Sequence, residues 1–300
     1  MGMKAEVAEW VESHSRQRIY IDGYRAGKIF RLREDIYGIL TCAPHRGADT
    51  WVYLIIGTDL ALAIDTGFGI GNLKSVLTGL AGDRPLMVAN SHYHADHSLG
   101  NVQFDTVYIG EKDAPILQDF MYPEHWNEFC DGIADHSFYE DEDIAPFHPY
   151  RIVPLANQSV IRLGEGHEVE AVWMPGHSPG EMCFLDHRNR VLFSGDAFMD
   201  PFPTTLTAPF KPAHNKEFAT VTAFYHELQK FAPRTGEFDC LMDGHGRPGS
   251  SVQRVSDMLE CADRVIREPD RDYTITTNRR GSFKTKSCGM AAISYRDERI

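Results

Sequence analysis

The sequence has no closely spaced cysteine pair, no long apolar run and no strongly basic segment. Its six cysteines are scattered, which suits free thiols in a reducing cytoplasm better than a disulfide framework or a zinc ribbon. No run approaches the roughly 18 consecutive apolar residues of a membrane helix. The charged amino terminus lacks the apolar core of a secretory signal. We therefore expect a cytoplasmic protein.

The charge balance limits the kinds of partner. Acidic residues outnumber basic ones 43 to 30, and the formal net charge is −13. Such a chain repels nucleic acids and anionic membranes unless a basic patch compensates, and the sequence shows no such patch. We therefore expect a small-molecule substrate and neither a nucleic-acid nor a membrane partner.

The chain shows no internal repeat and no low-complexity linker, which predicts one domain over residues 1–300. Within it we expect an N-terminal arm over 1–27, a lid insertion over 111–151 and a C-terminal hairpin over 270–300. The insertion could equally be a peripheral helical element without a role in chemistry. The arm and the hairpin are candidate contacts in a homodimer.

Short strand-like segments interspersed with single helices predict an α/β or α+β layered sandwich. The predicted helices span 4–16, 73–80, 216–231 and 251–267. The predicted strands span 28–32, 36–41, 50–56, 60–65, 86–90, 160–163, 168–173, 182–186, 190–194, 240–243, 273–277 and 288–295.

One stretch, NSHYHADHSLGN, begins at Asn90 and concentrates metal-binding residue types. It places His92, His94, Asp96 and His97 directly after an apolar strand. Imidazole nitrogens together with a carboxylate oxygen suit zinc, and also iron or manganese. The spacing therefore predicts a metal site on a tight turn.

Three further residues follow apolar strands and lie beside glycine. His177 lies in Met-Pro-Gly-His-Ser-Pro-Gly, Asp196 in Phe-Ser-Gly-Asp, and His245 in Met-Asp-Gly-His-Gly. With the first cluster they make five histidines and two aspartates. That number of ligands is enough for two metal ions.

The joint order of these motifs resembles the metallo-β-lactamase superfamily over about residues 28–250. The resemblance implies a four-layer αββα sandwich with the site at one edge, where the two sheets meet. It also implies that Asp65, in Asp-Thr-Gly, orients a ligand imidazole. The implied ligands are His92, His94 and His177 for the first metal, Asp96, His97 and His245 for the second, and Asp196 as the bridge between both.

Two divalent ions, expected to be zinc with iron or manganese as alternatives, can lower the pKa of a shared water to about 7. The resulting hydroxide would be the nucleophile, and Asp96 is the candidate for carrying a proton to the leaving group. The prediction is a hydrolase for a small, apolar ester, lactone or thioester.

The subfamily stays open, although the metal ligands are most similar to those of lactonases and glyoxalase-II-like members. Lactonases typically carry a tyrosine where this chain has Met199, and glyoxalase-II-like enzymes place a basic residue nearer to Asp196 than Lys211. The main alternative is an iron-dependent oxidoreductase of the same fold, similar to persulfide dioxygenases. A β-lactamase is a weaker alternative, because Asp196 takes the place of a cysteine or serine there.

Aromatic residues near Asp196 and in the insertion predict an apolar pocket over the metals. Each could equally be an ordinary core residue. The predicted lining comprises Phe198, Met199, Phe202, Phe210, Tyr122, Trp126 and Phe129.

Overall fold

Eight strands form the first sheet of the computed structural model, which describes residues 4–43, 49–126, 141–203, 214–278 and 281–300. The strands follow one another in chain order, antiparallel from β1 to β5 and parallel from β5 to β8. They are β1 (Arg18–Ile19), β2 (Gly27–Arg31), β3 (Ile36–Thr41), β4 (Thr50–Ile56), β5 (Ala61–Ile64), β6 (Leu86–Asn90), β7 (Thr106–Gly110) and β8 (Arg151–Leu155).

Six strands form the second sheet, in the order β15-β14-β12-β11-β10-β9. All neighbours are antiparallel except β12 and β14, which run parallel. The strands are β9 (Ser159–Gly164), β10 (His167–Trp173), β11 (Met182–Asp186), β12 (Val191–Gly195), β14 (Cys240–Asp243) and β15 (Ser250–Ser251).

Two of the described helices begin at residues whose side chains cap them. Asn72 and Thr220 accept side-chain hydrogen bonds from the first turns of α2 and α5. The predicted helix 216–231 begins only at Val221, because Thr220 is extended and caps it. None of the helices in the described ranges is long and apolar enough to span a membrane. The helices are α1 (Ala5–Ser13), α2 (Leu73–Ala81), α3 (Ala95–Ser98), α4 (Ala114–Phe120), α5 (Val221–Phe231) and α6 (Gln253–Arg267).

The two large sheets face each other, and helices cover their outer faces. The central core lies between the sheets and includes Trp51, Phe184 and Phe193, none of which is exposed. A second core packs α2 and α4 on the first sheet, and a third packs α5 and α6 on the second. Each sheet therefore buries both faces, which is why β4, β11 and β12 are apolar almost throughout. The predicted αββα sandwich is confirmed.

The C-terminal region differs from the predicted hairpin. Three strands follow one another there, β16 (Thr274–Asn278), β17 (Gly281–Cys288) and β18 (Ala291–Tyr295), and β13 (Phe202–Pro203) pairs with β18. The prediction of one strand over 288–295 was wrong because Gly289 turns the chain at a φ of +56°. Cys288 consequently pairs with Ala291 across a tight turn.

The N-terminal arm and the described part of the insertion over 111–151 pack against different parts of the fold. In the arm, Trp10 of α1 packs edge-on against Trp51 with ring centroids 5.6 Å apart, so α1 covers one end of the central core. The described part of the insertion contains α4, which packs on the first sheet. Residues 127–140 lie outside the described residues, so the lid stays a prediction.

Candidate metal centre

Strands of both sheets end at one edge of the molecule, and predicted site residues follow those ends. Asp65 follows β5 and His92 lies just after β6; Asp196 follows β12 and His245 lies just after β14. Because β5 pairs in parallel with β6, and β12 with β14, the carboxyl ends of each pair meet. His177 comes from the loop after β10. The sandwich thereby brings together residues that are far apart in the chain.

Three histidines form what we call the nitrogen group: His92, His94 and His177. Nδ1 of His94 lies 2.9 Å from Nε2 of His92 and 2.9 Å from Nε2 of His177. The rings meet edge to face, with centroids 4.5 to 4.8 Å apart, so their nitrogens converge on one point. This group could hold one metal ion.

Asp96, His97 and His245 form what we call the carboxylate group. Nε2 of His245 lies 3.0 Å from Oδ2 of Asp96 and 3.3 Å from Nε2 of His97. Asp96 and His97 are neighbours on the single turn of α3, and His245 reaches them from the second sheet. This group could hold a second metal ion.

Asp196 lies between the two groups. Its Oδ2 is 3.4 Å from Nε2 of His177 and 3.5 Å from Nε2 of His245, and its Oδ1 is 3.4 Å from Nε2 of His97. Gly244 permits this arrangement, because a Cβ there would lie 2.7 Å from both Oδ1 of Asp196 and Cε1 of His97. A single carboxylate thus faces histidines of both groups.

Partners on the outer side of the rings set which nitrogen carries the proton. Nδ1 of His97 lies 2.8 Å from Oδ2 of Asp65, and Nδ1 of His245 lies 2.9 Å from the carbonyl oxygen of Asp49. Both Nδ1 atoms therefore donate, and both Nε2 atoms face inward. Asp65 is itself held by the amide and hydroxyl of Ser91, at 2.7 and 2.9 Å. Its role in catalysis stays a prediction.

The nitrogen group favours neutral rings. Burial, followed by the neighbouring His97, His94 and His177, lowers the pKa of His92 well below its usual value. Burial and His177 lower the pKa of His94 to about 3, although nearby carboxylates act against that shift. Neutral imidazoles have the lone pairs that metal binding requires.

The carboxylate group favours charged rings. Burial acts to lower the pKa of His97, but the carboxylates of Asp196, Asp65 and Asp96 raise it to about 9. Burial likewise opposes the change at His245, whose pKa Asp196 and Asp96 raise well above its usual value. The carboxylates that stabilise a proton here would also attract a divalent cation.

The arrangement fits metal ions chemically. The lone pairs on Nε2 of His97 and His245 face each other across 3.3 Å and repel unless a proton or a cation lies near both. Oδ1 of Asp196 is buried and has no hydrogen-bond donor among the described residues. Divalent cations accept such nitrogen and oxygen donors together, and the mixed set suits zinc, iron or manganese.

Asp113 supports the nitrogen group and was not predicted. It is fully buried; its Oδ2 accepts from the Ser178 hydroxyl at 2.6 Å and the Tyr93 amide at 3.2 Å. Its Oδ1 accepts from the Gly180 amide at 2.6 Å. Asp113 thus ties the loop of His92 and His94 to the loop of His177. Its position in the expected lid segment concealed this role.

Glu181 supports Asp196 from behind and was also missed. Its Oε1 accepts from the Asp196 amide at 2.8 Å and lies 3.6 Å from Nδ1 of His92. Burial and the nearby Asp196 raise the pKa of Glu181 well above its usual value. A charged residue directly before the apolar strand Met-Cys-Phe-Leu was the available signal.

The first sheet holds the loop that carries His245. The Trp51 indole donates to the Gly246 carbonyl oxygen and the Tyr53 hydroxyl to the Asp243 carbonyl oxygen, both at 2.8 Å. A buried Arg254 donates to Asp243 at 3.1 Å from α6. The sequence gives no local sign of these supports, because they join the two sheets.

An apolar pocket adjoins the site, but its walls differ from the prediction. Trp126 lines it, whereas Tyr122 is 41% exposed and does not. Phe198 was wrongly predicted to line it: it is fully buried against Phe224 of α5, because its strand end points into the outer core. Met199 does not line it either. Phe129, Phe210 and the Phe202 side chain lie outside the described residues.

Comparison with known proteins is consistent with this geometry. The family model described as the metallo-beta-lactamase superfamily matches residues 45–233, well over half of the chain. The metallo-beta-lactamase family protein TTHA1429 of Thermus thermophilus has a TM-score of 0.52 at 20% identity, covering 77% of this chain and 80% of that one. The DIM-1 metallo-beta-lactamase has a TM-score of 0.55 at 16% identity, covering 81% and 100%. These structures show the fold.

Curated relatives carry thioesterase names. The acyl-coenzyme A thioesterase MBLAC2 of Homo sapiens is 31% identical over 163 residues, half of this chain and 58% of the relative. The atrochrysone carboxyl ACP thioesterase of Aspergillus fumigatus is 27% identical over 201 residues, 63% of this chain and 39% of the relative. The matches therefore span only about half of these relatives.

Proposed function

Because this chain belongs to the metallo-beta-lactamase superfamily, we propose that it is a metal-dependent hydrolase that cleaves acyl thioesters. One observation carries the proposal: the buried carboxylate of Asp196 faces ring nitrogens of both the nitrogen group and the carboxylate group. The thioesterase names of the relatives support a thioester over other acyl bonds.

We propose that the nitrogen group holds one divalent ion, the carboxylate group holds a second, and Asp196 serves both. Zinc is the expected metal because it accepts this mixture of imidazole and carboxylate donors. Bound ions would polarise an acyl carbonyl and lower the pKa of water at the site.

Asp96 is the candidate proton carrier. Its side chain is 28% exposed, whereas that of Asp196 is 4% exposed. Burial alone would raise the pKa of Asp96, but His97 and His245 lower it. Of the two aspartates, only Asp96 is therefore both ionised and able to reach a leaving group from the edge of the cluster.

The chemistry of the leaving group also favours a thioester. Attack by water breaks the carbon–sulfur bond and yields a carboxylic acid and a thiol. A thiol ionises with a pKa of about 8.5, far below that of an aliphatic alcohol, so its thiolate leaves with little help. Departure of a thiolate therefore needs no strong acid at the site. The partly exposed carboxylate of Asp96 is adequate for that step.

The test is turnover of matched substrates by the purified full chain. Metal content is measured first, and then hexanoyl thioester, its oxyester, a lactone, a phosphodiester and a β-lactam are offered. We expect thioester hydrolysis that a chelator abolishes and zinc restores. Full activity after chelation would refute metal dependence.

Other outcomes distinguish the alternatives. Turnover of the β-lactam alone would overturn the thioesterase proposal. Bound iron with oxygen consumption would favour the oxidoreductase. His94→Ala provides a second check, because it removes the nitrogen that lies 2.9 Å from both other rings of the nitrogen group.

A further inference from the structure

The apolar pocket adjoins the nitrogen group, and His94 forms part of its wall. Tyr93 and Ala95, which flank His94 in the chain, line the same pocket. A substrate whose carbonyl lies at the metal centre can therefore extend its attached chain past His94 into the pocket.

The remaining walls are mostly hydrocarbon. Leu117 and Phe120 of α4 and Trp126 after it line the pocket, and Leu117 and Trp126 are almost fully buried. The ring of Phe120 lies parallel to that of Tyr93, with centroids 6.2 Å apart. These contacts join the wall formed by α4 to the ligand loop.

Two hydroxyl groups in the wall have partners elsewhere. The Ser98 hydroxyl donates to the carbonyl oxygens of Tyr93 and His94, at 2.8 and 3.0 Å. The Tyr150 hydroxyl is hydrogen-bonded to Asn101. These two hydroxyls are already bonded, and a polar occupant would lose hydrogen bonds to water, whereas an alkyl chain loses none.

The size of the pocket sets a length. Its volume is about 120 Å³, slightly below the roughly 150 Å³ of an engineered protein cavity that binds benzene. That volume holds on the order of four to six carbon atoms. With the carbonyl carbon and the carbon that passes His94, the matching acyl group has about six to eight carbons.

We propose that this pocket binds the acyl chain of the substrate and limits it to medium length, an inference that rests on the proposed thioesterase function. Each methylene that enters the pocket should raise kcat/KM about fourfold. Longer chains leave their ends in water and gain nothing further.

The kinetic test uses the zinc-loaded full chain and straight-chain acyl thioesters of one thiol, from two to twelve carbons. We expect kcat/KM to rise about fourfold per methylene and to level off at six to eight carbons. A flat profile, or a rise that continues to twelve carbons, would overturn the length limit.

Variants of two partly exposed lining residues locate the limit. Met121→Trp should move the break to shorter chains, and Phe147→Ala should move it to longer ones. Phe283→Ala is the matched control: Phe283 is also partly exposed but lies on β17 and does not line the pocket. Thermal melting checks folding, and each substitution tests the inference independently. If kcat/KM levels off at the same chain length in both lining variants as in the unchanged protein, the inference is contradicted.

Calorimetric binding of straight-chain carboxylates separates this inference from the proposed function. All members of the series share the carboxylate head group. The gain in binding free energy per added methylene therefore reports contacts in the pocket alone. A length-limited increment without thioester turnover would support the pocket and refute the thioesterase. Turnover with no increment would refute the pocket and leave the thioesterase standing.

Discussion

The nitrogen group and the carboxylate group lie side by side and both face Asp196, yet their electrostatic surroundings are opposite. Burial among other imidazoles lowers the pKa of His94 to about 3. Three carboxylates raise the pKa of His97 to about 9 against the effect of burial. Without metal ions, the same residue type therefore favours the neutral form in one group and the protonated form in the other at neutral pH.

The difference shows how one cluster can combine two kinds of metal site. The nitrogen group depends mainly on positioning, because its three ligands are neutral imidazoles and Asp196 is the carboxylate that faces it. The carboxylate group depends on charge, and a cation there must displace protons. Four predictions test that contrast, from the largest expected effect to the smallest.

Asp196→Asn should remove the contrast, because the carboxylate that faces both groups loses its charge. We expect kcat/KM to fall more than about 100-fold, above the range for losing an outer partner of a ligand. Metal content per chain, measured by mass spectrometry, should fall as well. Asp186→Asn is the matched control, since it removes a buried, histidine-bonded carboxylate in β11. Full metal content in Asp196→Asn would contradict the shared role.

Asp65→Asn should weaken the carboxylate group selectively. The substitution removes the acceptor that fixes Nδ1 of His97 at 2.8 Å. Loss of such an outer partner costs about 10- to 100-fold in metal affinity. Stepwise calorimetric titration measures both sites in one experiment. Ser91→Ala, which keeps the His97 contact, should change affinity at the carboxylate group much less; an equal loss there would contradict a direct role of Asp65 through His97.

The pH dependence of metal binding should differ between the groups. Below about pH 9 a proton on His97 competes with the cation, so affinity at the carboxylate group falls as pH falls. One displaced proton corresponds to about tenfold per pH unit. The nitrogen group should show no such slope between pH 6 and 9, because His94 titrates near 3. Titration in buffers of different ionisation enthalpy counts the protons released; equal slopes would refute the contrast.

Asp113→Asn should weaken the nitrogen group slightly. Burial raises the pKa of Asp113 to about 7, although Ser178, Gly180 and Tyr93 donate to it. The neutral amide can serve two of the three donors, so one hydrogen bond is lost, or about 1 kcal/mol. We expect about fivefold weaker metal binding there and a Tm lower by about 2 °C. An equal loss at the carboxylate group would contradict a local role.

Much of the fold could be predicted because most strands carry local signals. The predicted bounds 36–41, 50–56 and 86–90 match β3, β4 and β6, where apolar runs end at polar turns. β8 was missed because Arg151–Leu155 is not apolar enough to stand out. β7 was missed although its Thr-Val-Tyr-Ile segment has the composition of a strand. The predicted strand over 288–295 was wrong because the chain turns at Gly289.

The residues of the site also divide into those that could be predicted from the sequence and those that could not. Its ligands were predicted because histidine and aspartate beside glycine at strand ends are visible in the chain. Their supports were not: Asp113 and Glu181 gain their roles only from backbone amides and hydroxyls that folding brings to them. Phe198 looked like a pocket residue, but its side chain belongs to the core under α5.

The sequence by itself determined which residues could bind metal, since that follows from residue type and spacing. Local periodicity determined only that the fold would be a layered sandwich of strands and helices, and the four-layer arrangement came from the resemblance to the superfamily. Only the tertiary structure decided how the ligands divide electrostatically, because the pKa of each histidine depends on its burial and on the imidazoles and carboxylates that folding brings beside it. It also decided where the apolar pocket lies. Its walls come from the ligand turn, α4 and the segment before β8, which only folding brings together.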